Sequence, residues 1–497
     1  MESTSPPPIS GPTELSLGPR RPSVTWTLAL WLALAGACLL IFSSNMIGKS
    51  APGPLPDPAD VSSPILTFYT RYALGIDQLQ SIAGGAAAPG SQQLIESLDE
   101  QAGSVIDRLR VLQIIAESAG SDQALTRLDS IDSDLRDKSE IHDPNAPDPA
   151  PDAIVVNDAA ALEALRRDAA TMRAIFEART ADGVPATDRD ELLRRHGFFA
   201  RLALSSGKDS TDPERARLEA SGTRTVVFAI AALGIVLLAA IAGLALFIVA
   251  CAQLANRKLR SGLSHHASRV EAPSYAAQDA MLEAAVVFLW GFVLMSFVAG
   301  VVYASAGIDL TLLLASMLAT CCFWPLARGW SFAAWRRFIG WHTGAGVFRE
   351  IACGIVGYLA CLPILGVGVL ISYIVVMLTG SDASHPIADN LDLSSPLVVL
   401  GQLLLAAVWA PLVEETMFRG ALHGHLRRTA PILVSALISG FVFAAIHPQG
   451  LGGIPALTAM GINFALLREW RGSLIAPITA HAINNFFAVG IMLLVMG

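Results

Sequence analysis

The segment WAPLVEETMFRG, from Trp409 to Gly420, places two adjacent carboxylates and an arginine after an apolar run that begins near Leu397. A charged side chain at bilayer depth costs at least ~2.5–3.5 kcal/mol on insertion scales, so such groups persist mainly where they face a cavity or a partner. Glu415 and Arg419 are four residues apart and share one face of a helix, whereas Glu414 points about 100° away. The spacing therefore predicts a compensated Glu415–Arg419 pair and leaves Glu414 free to accept a proton.

The composition is that of a multi-span membrane protein. Of the 497 residues, 53% are hydrophobic and only 15% are charged, which is too apolar for an ordinary soluble protein. The net charge of −8 arises mainly from residues 56–219, which hold most of the Asp and Glu. The negative charge therefore belongs mainly to one acidic soluble insert, and it predicts no nucleic-acid partner. All six cysteines lie in apolar segments, so no disulfide framework is predicted.

Hydropathy predicts an all-α fold, a polytopic transmembrane helical bundle of about nine spans with an extracytoplasmic α-helical insert. The spans lie near residues 24–46, 225–252, 284–305, 310–327, 351–379, 396–422, 431–447, 453–467 and 473–496. The first is interpreted as an uncleaved signal anchor, because the segment before it is long and rich in proline.

Arginine and lysine cluster in alternate loops, as the positive-inside rule expects of cytoplasmic loops. Basic loops follow the second, fourth, sixth and eighth spans, and Arg20 and Arg21 precede the first. The alternation predicts a multi-pass protein of the inner cell membrane with a cytoplasmic N-terminus and with residues 47–222 outside the membrane.

These features divide the chain into five predicted regions. They are a disordered cytoplasmic N-terminus at 1–23, a transmembrane anchor at 24–46, an extracytoplasmic helical domain at 47–222, transmembrane helices with basic cytoplasmic loops at 223–348, and a transmembrane core at 349–497, which the polar residues described below make the candidate catalytic core. The extracytoplasmic domain repeats apolar residues at helical spacing on both sides of a proline-rich break. It carries no site motif, which favours a spacer or a partner-binding role.

Two further spans carry isolated polar residues. His447 ends the span at 431–447, and His481 and Asn485 share one face of the last span. One carboxylate and two imidazoles on three helices are a donor set that zinc prefers, so Glu414, His447 and His481 are the predicted metal ligands. Asn485 can donate a hydrogen bond to an oxyanion.

Other polar residues are predicted to lie at the membrane interface. Trp330, Trp335 and Trp341 alternate with Arg336 and Arg337, which is typical of an aromatic and basic belt. The histidines at 423 and 425 stand beside a basic pair, and we interpret them as interfacial too.

The polar residues of the last spans resemble the motifs of the CAAX prenyl endopeptidase type II and bacteriocin-processing group, the CPBP intramembrane proteases. That signature runs EExxxR, FxxxH and HxxxN on separate helices. Here it corresponds to Glu414, Glu415 and Arg419, then Phe443 and His447, then His481 and Asn485. The resemblance covers approximately residues 349–497 and leaves the insert out. Apart from the phenylalanine, these are the predicted catalytic residues.

The resemblance implies an all-helical peptidase of the CAAX or abortive-infection type, with its site inside the bilayer and a membrane-associated peptide or protein as substrate. By that likeness, Glu414 activates the water that attacks the peptide carbonyl, and His447 shares that water or a metal. His481 and Asn485 would stabilise the oxyanion or complete the coordination. The mechanism is then that of a zinc enzyme or of a metal-independent glutamate peptidase.

Two other functions are compatible with the same residues. One is a catalytically silent membrane scaffold or immunity protein, in which Glu415 and Arg419 hold helices together and the extracytoplasmic domain binds a protein partner. The other is a transporter with a proton site at the midplane, although no inverted repeat is visible. Taken singly, each polar residue also fits a packing role, but their concentration in three of the last four spans favours a functional cavity.

Overall fold

The structure is a computed structural model. It describes residues 24–47, 64–83, 98, 104–137, 139–141, 154–156, 159–256, 258, 277–308, 310–379 and 395–496. The predicted N-terminal region at 1–23, the proline-rich break and most of the basic loop after the second span lie outside the described residues. The chain divides into two compact units, one of Met1–Ser50 with Ala239–Val489 and one of Ala51–Leu238 with Gly490–Gly497.

Helices make up almost all of the regular structure. In chain order they are α1 (Val24–Ile47), α2 (Pro64–Ala83), α3 (Val105–Ala119), α4 (Ser121–Asp137), α5 (Ala159–Ala178), α6 (Ala186–His196), α7 (Phe198–Leu204), α8 (Pro213–Ala255), α9 (Ala280–Ala306), α10 (Thr311–Leu318), α11 (Trp324–Ala327), α12 (Phe332–Ile339), α13 (Val347–Thr379), α14 (Pro396–Leu404), α15 (Ala410–Glu415), α16 (His423–Leu426), α17 (Ile432–Ala445), α18 (Gly450–Arg471) and α19 (Ile475–Met496). A 3-10 turn, Ala319–Phe323, joins α10 to α11. The predicted all-α class is confirmed.

Two short strands accompany the helices of the insert. β1 (Ser139–Ile141) and β2 (Ile154–Val156) pair in parallel on either side of the proline-rich break. Helical periodicity on both sides of the break did not predict this pair. A strand of three residues is too short to show an alternating pattern.

Helices α14, α15 and α16 form one continuous rod. Two π-helical turns, Leu405–Trp409 and Thr416–Leu422, join them. We call this rod, residues 396–426, the glutamate helix because it carries Glu414 and Glu415. In a π turn each N–H bonds to the carbonyl five residues earlier, and such turns often lie at functional sites.

Seven helices of the described chain are long and apolar enough to cross a membrane, and each overlaps a predicted span. They are Val24–Ser44, Pro213–Ala255, Ala280–Ala306, Val347–Thr379, Leu397–Leu426, Gly450–Arg471 and Ile475–Leu493. The predicted spans at 310–327 and 431–447 correspond to shorter apolar helices. Of these, α17 has 14 residues, or about 21 Å, against ~30 Å of hydrocarbon. The chain is a multi-pass membrane protein with a helical bundle.

Glycines bring the helices of the bundle into close contact. A Cβ atom built on Gly461 of α18 would lie 2.5 Å from the Cα of Gly440 on α17, and one built on Gly368 of α13 would lie 2.5 Å from the Cβ of Ala459. The hydrophobic effect does not drive helices together in apolar lipid, so helical bundles in membranes depend on such close backbone packing. The contact fixes α17 and α18 at a separation that no larger side chain would permit.

The insert has its own core, which contains a buried ionic cluster. Arg195 Nε donates to Asp168 Oδ2 at 2.6 Å, and His196 Nε2 lies 3.1 Å from the same oxygen. Burial alone would raise the pKa of Asp168, but hydrogen bonds from His196 and Arg195 outweigh it and lower that pKa. Burial lowers the pKa of His196 and keeps the ring neutral. Asp168 thus accepts from both neighbours, whereas His196 Nδ1 has no partner among the described residues. The contacts within the cluster favour a structural role.

Candidate active site

Pro411 explains the first π turn of the glutamate helix and the position of Asn485. The N–H of Ala410 bonds to the carbonyl of Leu405, five residues earlier. The carbonyl of Ala406 would pair next with residue 411, but proline has no N–H. Asn485 Nδ2 from α19 donates to this carbonyl at 2.8 Å. Asn485, which was predicted to be catalytic, therefore also pairs with a backbone carbonyl two turns before Glu414.

Glu415 and Arg419 form a fully buried ion pair. Arg419 Nη1 lies 2.9 Å from Glu415 Oε1, and both side chains are 0% exposed. Arg419 Nη2 also donates to the carbonyl of Gly461 at 3.1 Å. A buried ion pair needs good geometry and further hydrogen bonds to offset its desolvation. Arg419 Nε and Glu415 Oε2 have no hydrogen-bond partner among the described residues, so the pair is only partly satisfied. The close approach of α17 and α18 at Gly461 supplies one acceptor to Arg419.

Aromatic rings enclose the guanidinium of Arg419. Its central carbon lies 4.5 Å from the ring centroid of Phe443, 5.1 Å from that of Phe464 and 5.8 Å from that of Phe418. A cation over a desolvated aromatic face gains about 2 kcal/mol or more. The rings therefore compensate charge and exclude lipid at the same time.

The two histidines of the site present the same ring nitrogen to Glu414. His447 Nδ1 lies 2.6 Å from the carbonyl of Phe443, and His481 Nδ1 lies 2.9 Å from Glu415 Oε1. Both partners are acceptors, so each Nδ1 carries the hydrogen and each neutral ring has its lone pair on Nε2. Phe464 stacks on the His481 ring with centroids 4.8 Å apart, which fixes its plane.

Glu414, His447 and His481 converge on one point. Glu414 Oε2 lies 4.0 Å from His447 Nε2 and 3.9 Å from His481 Nε2. This oxygen is buried and has no hydrogen-bond partner among the described residues, whereas the side chain as a whole is 21% exposed. Three acceptor atoms that face each other need a shared donor, a proton or a cation between them. The arrangement can therefore hold and deprotonate a water molecule.

The spacing of these three atoms is wider than that of a closed zinc site. Two ligands of one tetrahedral zinc stand about 3.4 Å apart, given metal–ligand bonds of ~2.1 Å. The described residues contain no group of three or more His, Cys, Asp or Glu side chains arranged to hold a metal ion. The donor types suit zinc, but their separations do not match it in this arrangement.

Asn485 is held by a chain of hydrogen bonds that begins on α13. Tyr358 donates through its hydroxyl to Asn484 Oδ1 at 3.1 Å, and Asn484 Nδ2 donates to Asn485 Oδ1 at 3.3 Å. The amide of Asn485 is thereby oriented with its nitrogen on the Ala406 carbonyl. The sequence pattern missed Tyr358, because a single tyrosine in an apolar span carries no positional signal.

His423 is not interfacial as predicted. Its ring is 0% exposed, and Nε2 lies 3.6 Å from Glu469 Oε2 on α18, which in turn pairs with Arg427 Nε at 3.0 Å. His423 follows Arg419 by four residues along the glutamate helix, so it faces the bundle with that arginine. The basic residues after it wrongly suggested that it lies at the interface.

Comparison with known proteins finds a family match over the part of the chain that carries these residues. Residues 396–487 match the family model described as type II CAAX prenyl endopeptidase Rce1-like. The chain therefore carries an Rce1-like domain. This confirms the resemblance inferred from the three motifs, and the matched residues include all six predicted catalytic side chains.

One curated relative of this chain is the "Putative membrane peptidase YdiL" of Bacillus subtilis strain 168. It is 31% identical over 87 residues, which are 18% of this chain and 35% of the relative. The chain thus spans about a third of the length of the curated relative that it matches. No solved structure matches the chain.

Replacing Asn485 should destabilise the first π turn. Asn485→Ala leaves the Ala406 carbonyl without its donor, which costs about 1–3 kcal/mol for a buried polar group. We expect that loss in the free energy of unfolding in mixed micelles, together with faster hydrogen exchange at residues 405–411. Asn484→Ala is the comparison variant, because it removes the bonds to Tyr358 and Asn485 but keeps the Asn485 amide beside the Ala406 carbonyl. Exchange at residues 405–411 should therefore rise less than in Asn485→Ala, and equally fast exchange there in the two variants would contradict this role.

Proposed function

We propose that this protein is an intramembrane endopeptidase that hydrolyses peptide bonds of membrane-associated substrates. The observation that carries the proposal is the convergence of Glu414 Oε2 with the Nε2 atoms of His447 and His481 inside an Rce1-like domain. A buried carboxylate oxygen without a donor is a suitable general base, since it can accept a proton from water. The relative's name, "Putative membrane peptidase", supports the same activity.

Glu414 would carry out the first chemical step. It takes one proton from the water held between it and the histidines, and the water oxygen attacks the carbonyl carbon of the peptide bond. The electron pair of the carbonyl moves to its oxygen, which becomes an oxyanion. The intermediate then expels the amine, which receives the proton that Glu414 accepted.

His481 is the side chain best placed to stabilise the oxyanion. The neutral ring has a lone pair on Nε2, and a proton added there would turn this atom into a donor that faces the site, while Nδ1 stays hydrogen-bonded to Glu415. A carboxylate that holds the far nitrogen fixes the ring orientation and offsets its positive charge. The second N–H of Asn485 is a further donor, because the first is used by Ala406. Glu415 and Arg419 are positioning residues in this scheme.

The substrate has to be unwound before it reacts. A helix satisfies its own backbone hydrogen bonds, so its carbonyls are not presented to an attacking water. We propose an extended or locally opened peptide segment as the substrate, cut within the enclosed site, where donors act strongly on the developing charge.

Glu414→Gln is the direct test of this function. It preserves shape and removes the base, so cleavage of a quenched fluorescent peptide library by the protein in vesicles should fall about 10²–10⁴-fold. Glu163→Gln makes the same change on the exposed surface of the insert and should leave the rate unchanged.

An unchanged cleavage rate in the Glu414→Gln variant would show that Glu414 is not the general base. A wild-type protein that cleaves nothing, but whose insert captures a protein partner, would point to the scaffold alternative.

Zinc at Glu414, His447 and His481 stays a prediction. If these side chains close around the ion, it would polarise the peptide carbonyl and acidify its bound water. Elemental analysis of the purified protein should then find about one zinc per chain, and almost none in the His447→Ala, His481→Ala double variant. Full cleavage by a zinc-free wild-type protein would rule the metal out and leave Glu414 as the sole activator.

The orientation in the inner membrane is a further part of the proposal, supported by the alternation of basic loops. In a chain without native cysteines, Lys208→Cys on the exposed insert should react with an impermeant maleimide in intact spheroplasts. Arg336→Cys should react only after the membrane is permeabilised. Labelling of both sites before permeabilisation would contradict the orientation.

A further inference from the structure

Helix α12 has one buried apolar side and one exposed basic side. Trp335, Phe338 and Ile339 are buried in the bundle. On the other side, Phe332 is 56% exposed and Arg336 and Arg337 are exposed. We call these three exposed residues the basic face. A short helix with an apolar side in the bundle and cations beside an exposed aromatic ring has the composition of a segment that lies along a membrane surface.

The two arginines of the basic face have no internal counter-charge. Neither makes an ion pair or a side-chain hydrogen bond within the described part of the chain. Nearby arginines differ, since Arg328 lies 2.7 Å from Glu283 and Arg471 lies 2.7 Å from Glu350. The positive charge of the basic face is therefore available to an external anion.

The buried side of α12 packs directly on the second π turn of the glutamate helix. A Cβ atom on Gly420 would lie 3.0 Å from the Cβ of Ile339, and one on Gly424 would lie 3.0 Å from the Phe338 ring. Just beyond α12, Trp341 Nε1 donates to Thr416 Oγ1 at 3.0 Å. Thr416 follows Glu415 directly in the chain. A displacement of α12 would therefore act on the turn that carries Arg419 and begins directly after Glu415.

The end of α12 is also fastened to the helix behind it. Arg468 Nη2 of α18 donates to the carbonyl of Phe338 at 2.9 Å, and Ser473 Oγ donates to the carbonyl of His342 at 2.8 Å. These bonds connect the end of α12, and the residues just after it, to α18 and to the segment that follows α18. Helix α12 is therefore held by α18 as well as by the glutamate helix.

We propose that the basic face docks on anionic phospholipid headgroups and that this contact sets the position of the glutamate helix. Guanidinium groups bind phosphate through paired hydrogen bonds, and Phe332 can enter the acyl boundary beside them. The lipid surface is the occupant that fits, because the segment lies between membrane-spanning helices and carries unpaired positive charge. The site would then respond to the lipid composition of its membrane.

The docking is tested in nanodiscs of phosphatidylcholine with and without phosphatidylglycerol. Native mass spectrometry should show phosphatidylglycerol retained by the wild-type protein. Arg336→Gln with Arg337→Gln should weaken that retention roughly 5-fold for each arginine, as expected from ~1 kcal/mol per basic residue near a charged surface. Arg194→Gln with Arg217→Gln makes the same charge change on exposed residues of the insert and should have no effect. Equal retention by the basic-face variant and the wild type would overturn the docking.

The coupling is tested by hydrogen exchange at residues 410–422. Phosphatidylglycerol should slow exchange there in the wild-type protein and not in the basic-face variant. Trp341→Phe keeps an aromatic ring but removes the N–H that donates to Thr416. This variant should bind the lipid normally and lose most of the slowing of hydrogen exchange. Identical exchange of the wild type in both membranes would overturn the coupling. Neither readout uses peptide cleavage, so these results are independent of the proposed peptidase activity.

Discussion

The burial of Arg419 is the constraint on which the Rce1-like domain depends. A guanidinium buried in the bundle needs an opposite charge and hydrogen-bond acceptors, and removing one partner of a buried pair costs about 3–5 kcal/mol. The partners that compensate it also build the site. Glu415 pairs with Arg419 and accepts a hydrogen bond from His481. The ring of Phe443 contacts the guanidinium of Arg419, and its carbonyl accepts a hydrogen bond from His447. The residues that stabilise the buried charge of Arg419 thus also orient both imidazole rings.

Close backbone contacts make that compensation possible. The carbonyl of Gly461 reaches Arg419 because α17 and α18 touch through glycine, and Gly420 and Gly424 leave room for the side chains of α12 on another face of the glutamate helix. The glutamate helix is therefore confined from two directions. Its position depends both on membrane-embedded neighbours and on a helix whose other side is exposed and basic.

The sequence predicted what depends on local spacing and on the cost of charge in lipid. The Glu415–Arg419 pair follows from a separation of four residues, and convergence of Glu414 with the histidines was inferred because isolated polar residues recur in late spans. Features that depend on tertiary contacts could not be predicted. Tyr358 is far away in sequence from Asn484, and His423 stands beside arginines that suggested an interfacial position. The domain boundaries and the chemical roles of the site residues remain predictions.

Each π turn in the glutamate helix holds one residue more than an α turn would. That extra residue rotates everything after it by about 100° around the rod axis. With an uninterrupted rod from Pro396, the same two carboxylates would be aimed a quarter-turn or more away from the histidines. The direction in which the glutamate side chains point thus depends on the rotation that the first π turn introduces. Pro411, which favours this turn, therefore contributes to the site although it carries no charge.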